Sequence, residues 1–138
     1  MSTDTKSSVE LIELGKFFTV AARRLDAGFT APEMFSAAID AAWHQLATSP
    51  QAHSAFASEH AGRRLTHVEA PGNGPIAWAP AYEEMYGAFP DIWFTNADGT
   101  LNEQSLSLYR ATGSVTAEWN CSPAPGDGED MAPNTTTR

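Results

Sequence analysis

The histidines are the first residues to consider for metal binding, because all four fall between positions 44 and 67. His53 and His60 lie on one predicted helix, seven residues apart, which separates them by about 10 Å along the axis. That distance is too long for two ligands of one ion, and no two histidines have the i, i+4 spacing of a bidentate helical site. A site would need His60 and His67 with Glu59 or Glu69, so the pattern favours solvated histidines, with no metal and no cofactor.

The thiol chemistry of the chain rests on a single cysteine, Cys121. One cysteine excludes an intramolecular disulfide, and we expect it to exclude a cysteine-based zinc site as well. A nucleophilic role would need a histidine beside the thiol and protection from water. Cys121 is predicted to lie between the last strand and a disordered tail, so the sequence indicates a plain thiol.

Carboxylates are the remaining candidates for acid–base catalysis, and Glu83, Glu84 and Asp91 are the most closely grouped. Neighbouring residues on a helix point in different directions, so at most one of Glu83 and Glu84 faces a pocket. The sequence contains none of the common nucleotide-binding, zinc-protease or serine-hydrolase motifs. No catalytic residue is therefore predicted, and a non-enzymatic protein is favoured.

Large aromatic residues are concentrated in one segment, with six of them in seventeen residues: Trp78, Tyr82, Tyr86, Phe89, Trp93 and Phe94. We expect Phe89, Phe94 and one tryptophan to pack in the core. Tyrosine and tryptophan also dominate protein interfaces and ligand pockets, because they combine an apolar ring with a polar group. Trp78, Tyr82 and Tyr86 are therefore the predicted partner-binding aromatics.

Helices must position most of these residues. After a flexible leader (1–8), apolar residues recur with helical periodicity over 9–26, and Gly28 ends that helix. A capping box at Thr30 and Glu33 predicts a second helix that ends near Thr48, and Ser49 caps a third that ends at Gly62. A short helix over 79–86 carries the aromatic segment.

Strands are predicted later in the chain. Alternation predicts strands over 65–70 and 114–119, and a β-prone run predicts another over 91–95, while 71–75 is a loop by composition. Segment 105–111 is either a helix capped by Asn102 or a strand. The tail (121–138) is predicted to be disordered. We therefore expect one α+β domain over 9–120, with about three helices packed on an antiparallel sheet of three to four strands.

Composition limits the partners and the compartment. The 138 residues carry a net charge of −9, which repels phosphate backbones and argues against nucleic-acid binding. No apolar stretch is long enough to span a membrane, and the polar N-terminal segment does not resemble a secretion signal, so a cytoplasmic protein is expected. Six of the eight basic residues are arginine, which is typical of a GC-rich bacterial or phage genome.

These observations lead to a functional hypothesis and two alternatives. The favoured function is a small acidic protein-binding module of the immunity, antitoxin, inhibitor or accessory type. Glu83, Glu84 and Asp91 would attract a basic protein that Trp78, Tyr82 and Tyr86 anchor. One alternative is a small-molecule binder or enzyme that uses His67 or a buried carboxylate. Its pocket, of about 300 Å³ or more, would lie between the sheet and the aromatic helix. The other alternative is homodimerisation through the first helix.

Overall fold

The protein has an α+β fold in a computed structural model. The structure describes residues 3–63 and 65–125. In chain order the elements are α1 (Thr3–Asp26), α2 (Ala37–Ala47), α3 (Pro50–Ala61), β1 (Leu65–Pro75), α4 (Ala79–Tyr86), the 3-10 helix η1 (Asp91–Phe94), α5 (Glu103–Thr112) and β2 (Thr116–Pro125). Helix α1 begins at Thr3, within the segment predicted to be a flexible leader. None of the described helices is long and apolar enough to cross a membrane.

Local capping signals account for the ends of two helices. The Ser49 side chain accepts a hydrogen bond from the Ala52 amide at the start of α3, and Gly62 ends that helix at φ +70°. Asn102 caps α5 in the same way, by accepting from the Ser105 amide. The helical alternative for 105–111 is therefore confirmed, and the strand alternative is wrong.

Helix α2 begins later than the capping box at Thr30 predicts. Its N-cap is Ser36, whose hydroxyl accepts from the Ile39 amide at 3.1 Å and donates to the Ile92 carbonyl at 2.8 Å. Residues 29–35 are not helical, Ser36 itself is extended, and the Met34 amide donates to the Cys121 carbonyl at 2.9 Å. Both tertiary hydrogen bonds require the extended conformation, which is why the predicted start is wrong.

Strands β1 and β2 form one antiparallel ribbon, with a register irregularity between Glu69 and Gly72. Residues 71–75, predicted as a loop, belong to β1, and residues 121–125, predicted as tail, belong to β2. Both corrections have one cause, since each segment is held by pairing with the other strand. The rest of the predicted tail, 126–138, lies outside the described residues.

The sheet has fewer strands than predicted because residues 91–95 do not form one. Residues 91–94 are a 3-10 helix that follows Pro90, and adjacent Trp93 and Phe94 are both buried. A strand would have sent these two side chains to opposite faces. The described residues add only isolated bridges, between Thr95 and Leu101 and between Met34 and Cys121.

Helix α1 lies at the centre of the core and contributes Leu14, Phe17 and Phe18, which are fully buried. Its Glu13 carboxylate, also buried, accepts hydrogen bonds from the Tyr82 hydroxyl at 2.5 Å and from Trp93 Nε1 at 2.9 Å. The second carboxylate oxygen pairs with Lys16 Nζ at 3.0 Å. Burial, followed by the contact with Glu13, raises the pKa of Tyr82. The carboxylate thus fixes two aromatic residues against α1.

Candidate metal centre

Asp40, His44, His67 and Cys121 bring an oxygen, two nitrogens and a sulfur together on one side of α2. One ligand atom from each residue lies within 4.8 Å of every other. The four residues come from α2, β1 and β2, so the cluster joins the helical part of the molecule to the ribbon.

The regular geometry of each element explains why these side chains meet. Asp40 and His44 are separated by one helical turn and therefore share a face of α2. In the ribbon, His67 pairs with Pro123 and Glu69 pairs with Cys121. Side chains alternate along a strand, so His67 and Cys121 point to the same side of the ribbon, which is the side of buried Leu65.

The distances between the donors fit a single small ion. His67 Nε2 lies 3.3 Å from Asp40 Oδ1, and His44 Nε2 lies 3.4 Å from Asp40 Oδ2. Cys121 Sγ lies 3.9 Å from both Asp40 Oδ2 and His44 Nε2. Ligand atoms about 2.0–2.3 Å from one zinc ion, at tetrahedral angles, are roughly 3.3–3.7 Å apart. Asp40 Oδ2, His44 Nε2 and Cys121 Sγ, at 3.4 to 3.9 Å from one another, are close to these dimensions, and the full set of four donors, within 4.8 Å, would have to contract slightly around an ion.

The thiol in this cluster is held in its protonated form. Burial raises the pKa of Cys121 to about 12, and the neighbouring Asp40 carboxylate adds to the shift. The side chain is 1% exposed. A thiol with so little thiolate at neutral pH is a poor nucleophile, whereas a bound cation would replace its proton.

The donor types select the class of ion. Calcium and magnesium prefer sites made of oxygen ligands, whereas thiolate and imidazole together suit zinc and its transition-metal neighbours. One carboxylate and one thiolate would also neutralise a divalent charge. The four residues could therefore hold one Zn²⁺-like ion.

A cleft of about 880 Å³ opens beside the cluster, with Asp40 and His44 among its lining residues. Its walls come from α2, the ribbon, η1 and the first turn of α5, and they include Asn73, Glu118 and Trp119. The described lining residues do not include His67 or Cys121. The cluster is therefore reached from the cleft on its Asp40 and His44 side.

The combination of His60 and His67, which the sequence indicated as the requirement for a histidine-based metal site, does not form. His60 packs against Phe56, with ring centroids 4.4 Å apart, and His53 Nε2 accepts a hydrogen bond from Trp43 Nε1 at 3.0 Å. Glu59 and Glu69 are exposed and are absent from the described cluster. Of these residues, His67 alone belongs to the described cluster.

A single cysteine does not exclude a metal site that contains a thiolate, since one thiolate can act together with histidine and carboxylate ligands. Asp40 and His44 already have, in the sequence, the i, i+4 spacing that places two metal ligands on one face of a helix, although only one of the two is a histidine. The inward direction of His67 followed from alternation with Leu65. Cys121 could not be found in this way, because its side of the strand depends on pairing that the sequence did not indicate.

The predicted partner-binding residues do not form one exposed surface. Trp78 and Tyr82 are each 1% exposed and lie in the core, whereas Tyr86 is 38% exposed. Glu83 accepts a hydrogen bond from the Tyr109 hydroxyl, and Asp91 pairs with Arg110 at 3.2 Å. Trp78 and Tyr82 cannot anchor a partner in this structure. Binding through Tyr86, exposed Glu84 and Asp91 stays a prediction.

Comparison of this chain with protein-family models, with curated proteins and with solved structures gives no match.

Proposed function

We propose that this protein binds one divalent transition-metal ion of the zinc class through Asp40, His44, His67 and Cys121. The observation that carries the proposal is the convergence of four donor atoms, from three separate elements, within 4.8 Å. Two of the side chains, Asp40 and His67, are about 15% exposed, and Cys121 is buried.

The surrounding structure supports this assignment. His67 is fixed by the edge of the Trp43 ring, with centroids 4.4 Å apart, and Trp43 is fully buried. The main chain at Cys121 is held by β1 on one side and by the Met34 amide on the other. Rigid supporting elements reduce the free energy needed to order the ligands when the ion binds.

Cobalt(II) provides a spectroscopic test. The chain is treated with a chelator, dialysed and titrated with Co²⁺. We expect one ion per chain, the visible absorption of four-coordinate cobalt, and a near-ultraviolet thiolate-to-cobalt charge-transfer band. The Cys121→Ser variant should lose the charge-transfer band, and Zn²⁺ should displace cobalt from the unaltered chain.

His60→Gln is the matched control, because it removes a histidine that lies outside the cluster. It should leave both the stoichiometry and the spectrum unchanged. The proposal is overturned if the folded chain takes up no Co²⁺ or Zn²⁺, or if Cys121→Ser and His60→Gln give the same cobalt spectrum as the unaltered chain.

A further inference from the structure

The four donors differ sharply in how firmly the fold holds them. The side chain of His44 is 56% exposed, compared with 15% for Asp40 and 14% for His67, and Cys121 is buried. In the described part of the chain, the polar and ring contacts of the His44 side chain are all with the other three donors. Asp40, His67 and Cys121 are thus a fixed set, and His44 is a movable fourth donor.

His44 also lies where an outside molecule would arrive. The cleft reaches the cluster on the side of Asp40 and His44, and its volume of about 880 Å³ is in the range of small-molecule sites. Zinc sites that react with ligands have three protein donors and a fourth position open to exchange. A fixed set of three donors behind one exposed histidine provides that arrangement.

The lining of the cleft indicates which molecules it accepts. Its described lining residues include Trp119 and neither lysine nor arginine. Trp119 is two residues from Cys121 on β2 and therefore lies on the same side of the ribbon as the cluster, whereas Glu118 and its pairing partner Asn73 lie on the opposite side. A wall with an aromatic ring and without a cationic side chain suits an uncharged or cationic molecule with a flat ring.

We propose that the cleft binds a small nitrogen-donor heteroaromatic molecule, uncharged or cationic, which coordinates the ion at the position of His44. The inference rests on the proposed metal binding and adds to it an exchangeable position and a ligand class. The ring nitrogen supplies the lone pair, the imidazole of His44 swings out into solvent, and no bond within the incoming molecule is broken.

Imidazole is the probe and acetate is the anionic comparison. The cobalt-loaded full chain is titrated with each at equal ionic strength, and the visible bands of cobalt are followed. We expect imidazole to shift the bands in a saturable manner and acetate to have a much smaller effect. Desalting should restore the original spectrum with one cobalt per chain, which distinguishes ligand binding from removal of the metal.

His44→Ala gives the second measurement. Its cobalt affinity should fall by at least the roughly 10- to 100-fold that loss of an outer-shell partner causes, with one ion still bound. Imidazole should then bind more tightly than to the unaltered chain and restore its spectrum. Circular dichroism checks that the variant is folded.

The outcomes separate the two proposals. If cobalt binds but imidazole changes neither the unaltered chain nor His44→Ala, the site is a closed four-ligand site and only this inference fails. Loss of all cobalt binding in folded His44→Ala also overturns it, because His44 is then indispensable. If the unaltered chain binds no cobalt at all, the proposed function fails and this inference fails with it.

Discussion

Asp40 makes more polar contacts within the candidate metal centre than any of the other three donors. One of its oxygens lies near His67, and the other lies near both His44 and Cys121. In the metal-free protein the other three side chains lie close enough to this carboxylate to be its hydrogen-bond partners. If an ion bound, the Cys121 thiol would lose its proton and each histidine would have to present an unprotonated nitrogen, so the partners of Asp40 would become fellow ligands.

The structure perturbs the titration of His53 on α3. Burial lowers the pKa of His53, and the nearby imidazole of His67 lowers it further. Its Nε2 accepts the indole hydrogen of Trp43, which only the neutral ring can do at that nitrogen. The unfolded chain therefore binds a proton at His53 at a higher pH than the folded chain does.

We predict that the metal-free protein loses stability as the pH falls below about 6.5, the ordinary value for histidine. Between that value and the lower pKa of folded His53, the unfolded state binds more protons, so acid favours unfolding. The measurement is urea unfolding from pH 8 to pH 5 in the presence of a chelator. His53→Gln should show a shallower dependence, and His60→Gln serves as the control. Equal slopes for His53→Gln and the unaltered chain would contradict the prediction.

Helices α1 and α3 approach each other closely at Gly15. A Cβ atom built at Gly15 would lie 2.7 Å from both Cε1 and Nδ1 of His60. One turn later on α1, the Thr19 hydroxyl lies 2.9 Å from the His60 carbonyl and 3.0 Å from the Gly15 carbonyl, within hydrogen-bond distance of both. The glycine is thus required by packing between two elements.

We predict that Gly15→Ala destabilises the protein, because steric strain of about 1–3 kcal/mol exceeds the gain of about 1 kcal/mol in helix propensity. In a His60→Ala background the strain is absent, so Gly15→Ala should be neutral or stabilising. Urea unfolding of both single variants and the double variant measures the coupling. An identical effect of Gly15→Ala in both backgrounds would show that His60 does not limit the helix approach.

The ends of helices could be predicted from the sequence where residues within or next to the helix determine them. Ser49 and Gly62 bound α3, and Asn102 begins α5, because capping groups and left-handed residues act locally. The prediction failed where a contact with a residue far away in the sequence determines where an element begins or ends. Helix α2 begins at Ser36, whose hydroxyl donates a hydrogen bond to the Ile92 carbonyl. Residues 121–125 are a strand because they pair with β1. The Asp40–His44 spacing was visible in the sequence, whereas Cys121 depended on that unseen pairing.

The described residues form a helical body and a two-stranded ribbon, and the candidate metal centre is one of the places where the two meet. A ribbon of two strands has little stability of its own and relies on packing against other elements. Ligands from α2 and from both strands would tie the ribbon to the body through a single ion. Metal binding is therefore expected to affect global stability and not only the local geometry.

We predict that Zn²⁺ stabilises the chain by about 2.7 kcal/mol when free metal exceeds the dissociation constant 100-fold. The gain arises because the folded state holds the four donors together and the unfolded state does not. Thermal unfolding at increasing Zn²⁺ measures it, and a chelator should reverse it. Cys121→Ser should gain much less, with His60→Gln as the control. A melting temperature that does not depend on zinc would contradict the prediction.

The register of the ribbon also has a consequence for the timing of folding. Leu65 pairs with Pro125, sixty positions later in the chain, and α4, η1 and α5 all lie between the two strands. Contacts between such distant positions close slowly, whereas α1, α2 and α3 can associate through neighbouring segments. Asp40 and His44 on α2 can therefore be in place before the ribbon forms, and His67 and Cys121 join them when β2 pairs with β1. An ion that binds only after this late step should leave the folding rate almost unchanged and should lengthen the lifetime of the folded state.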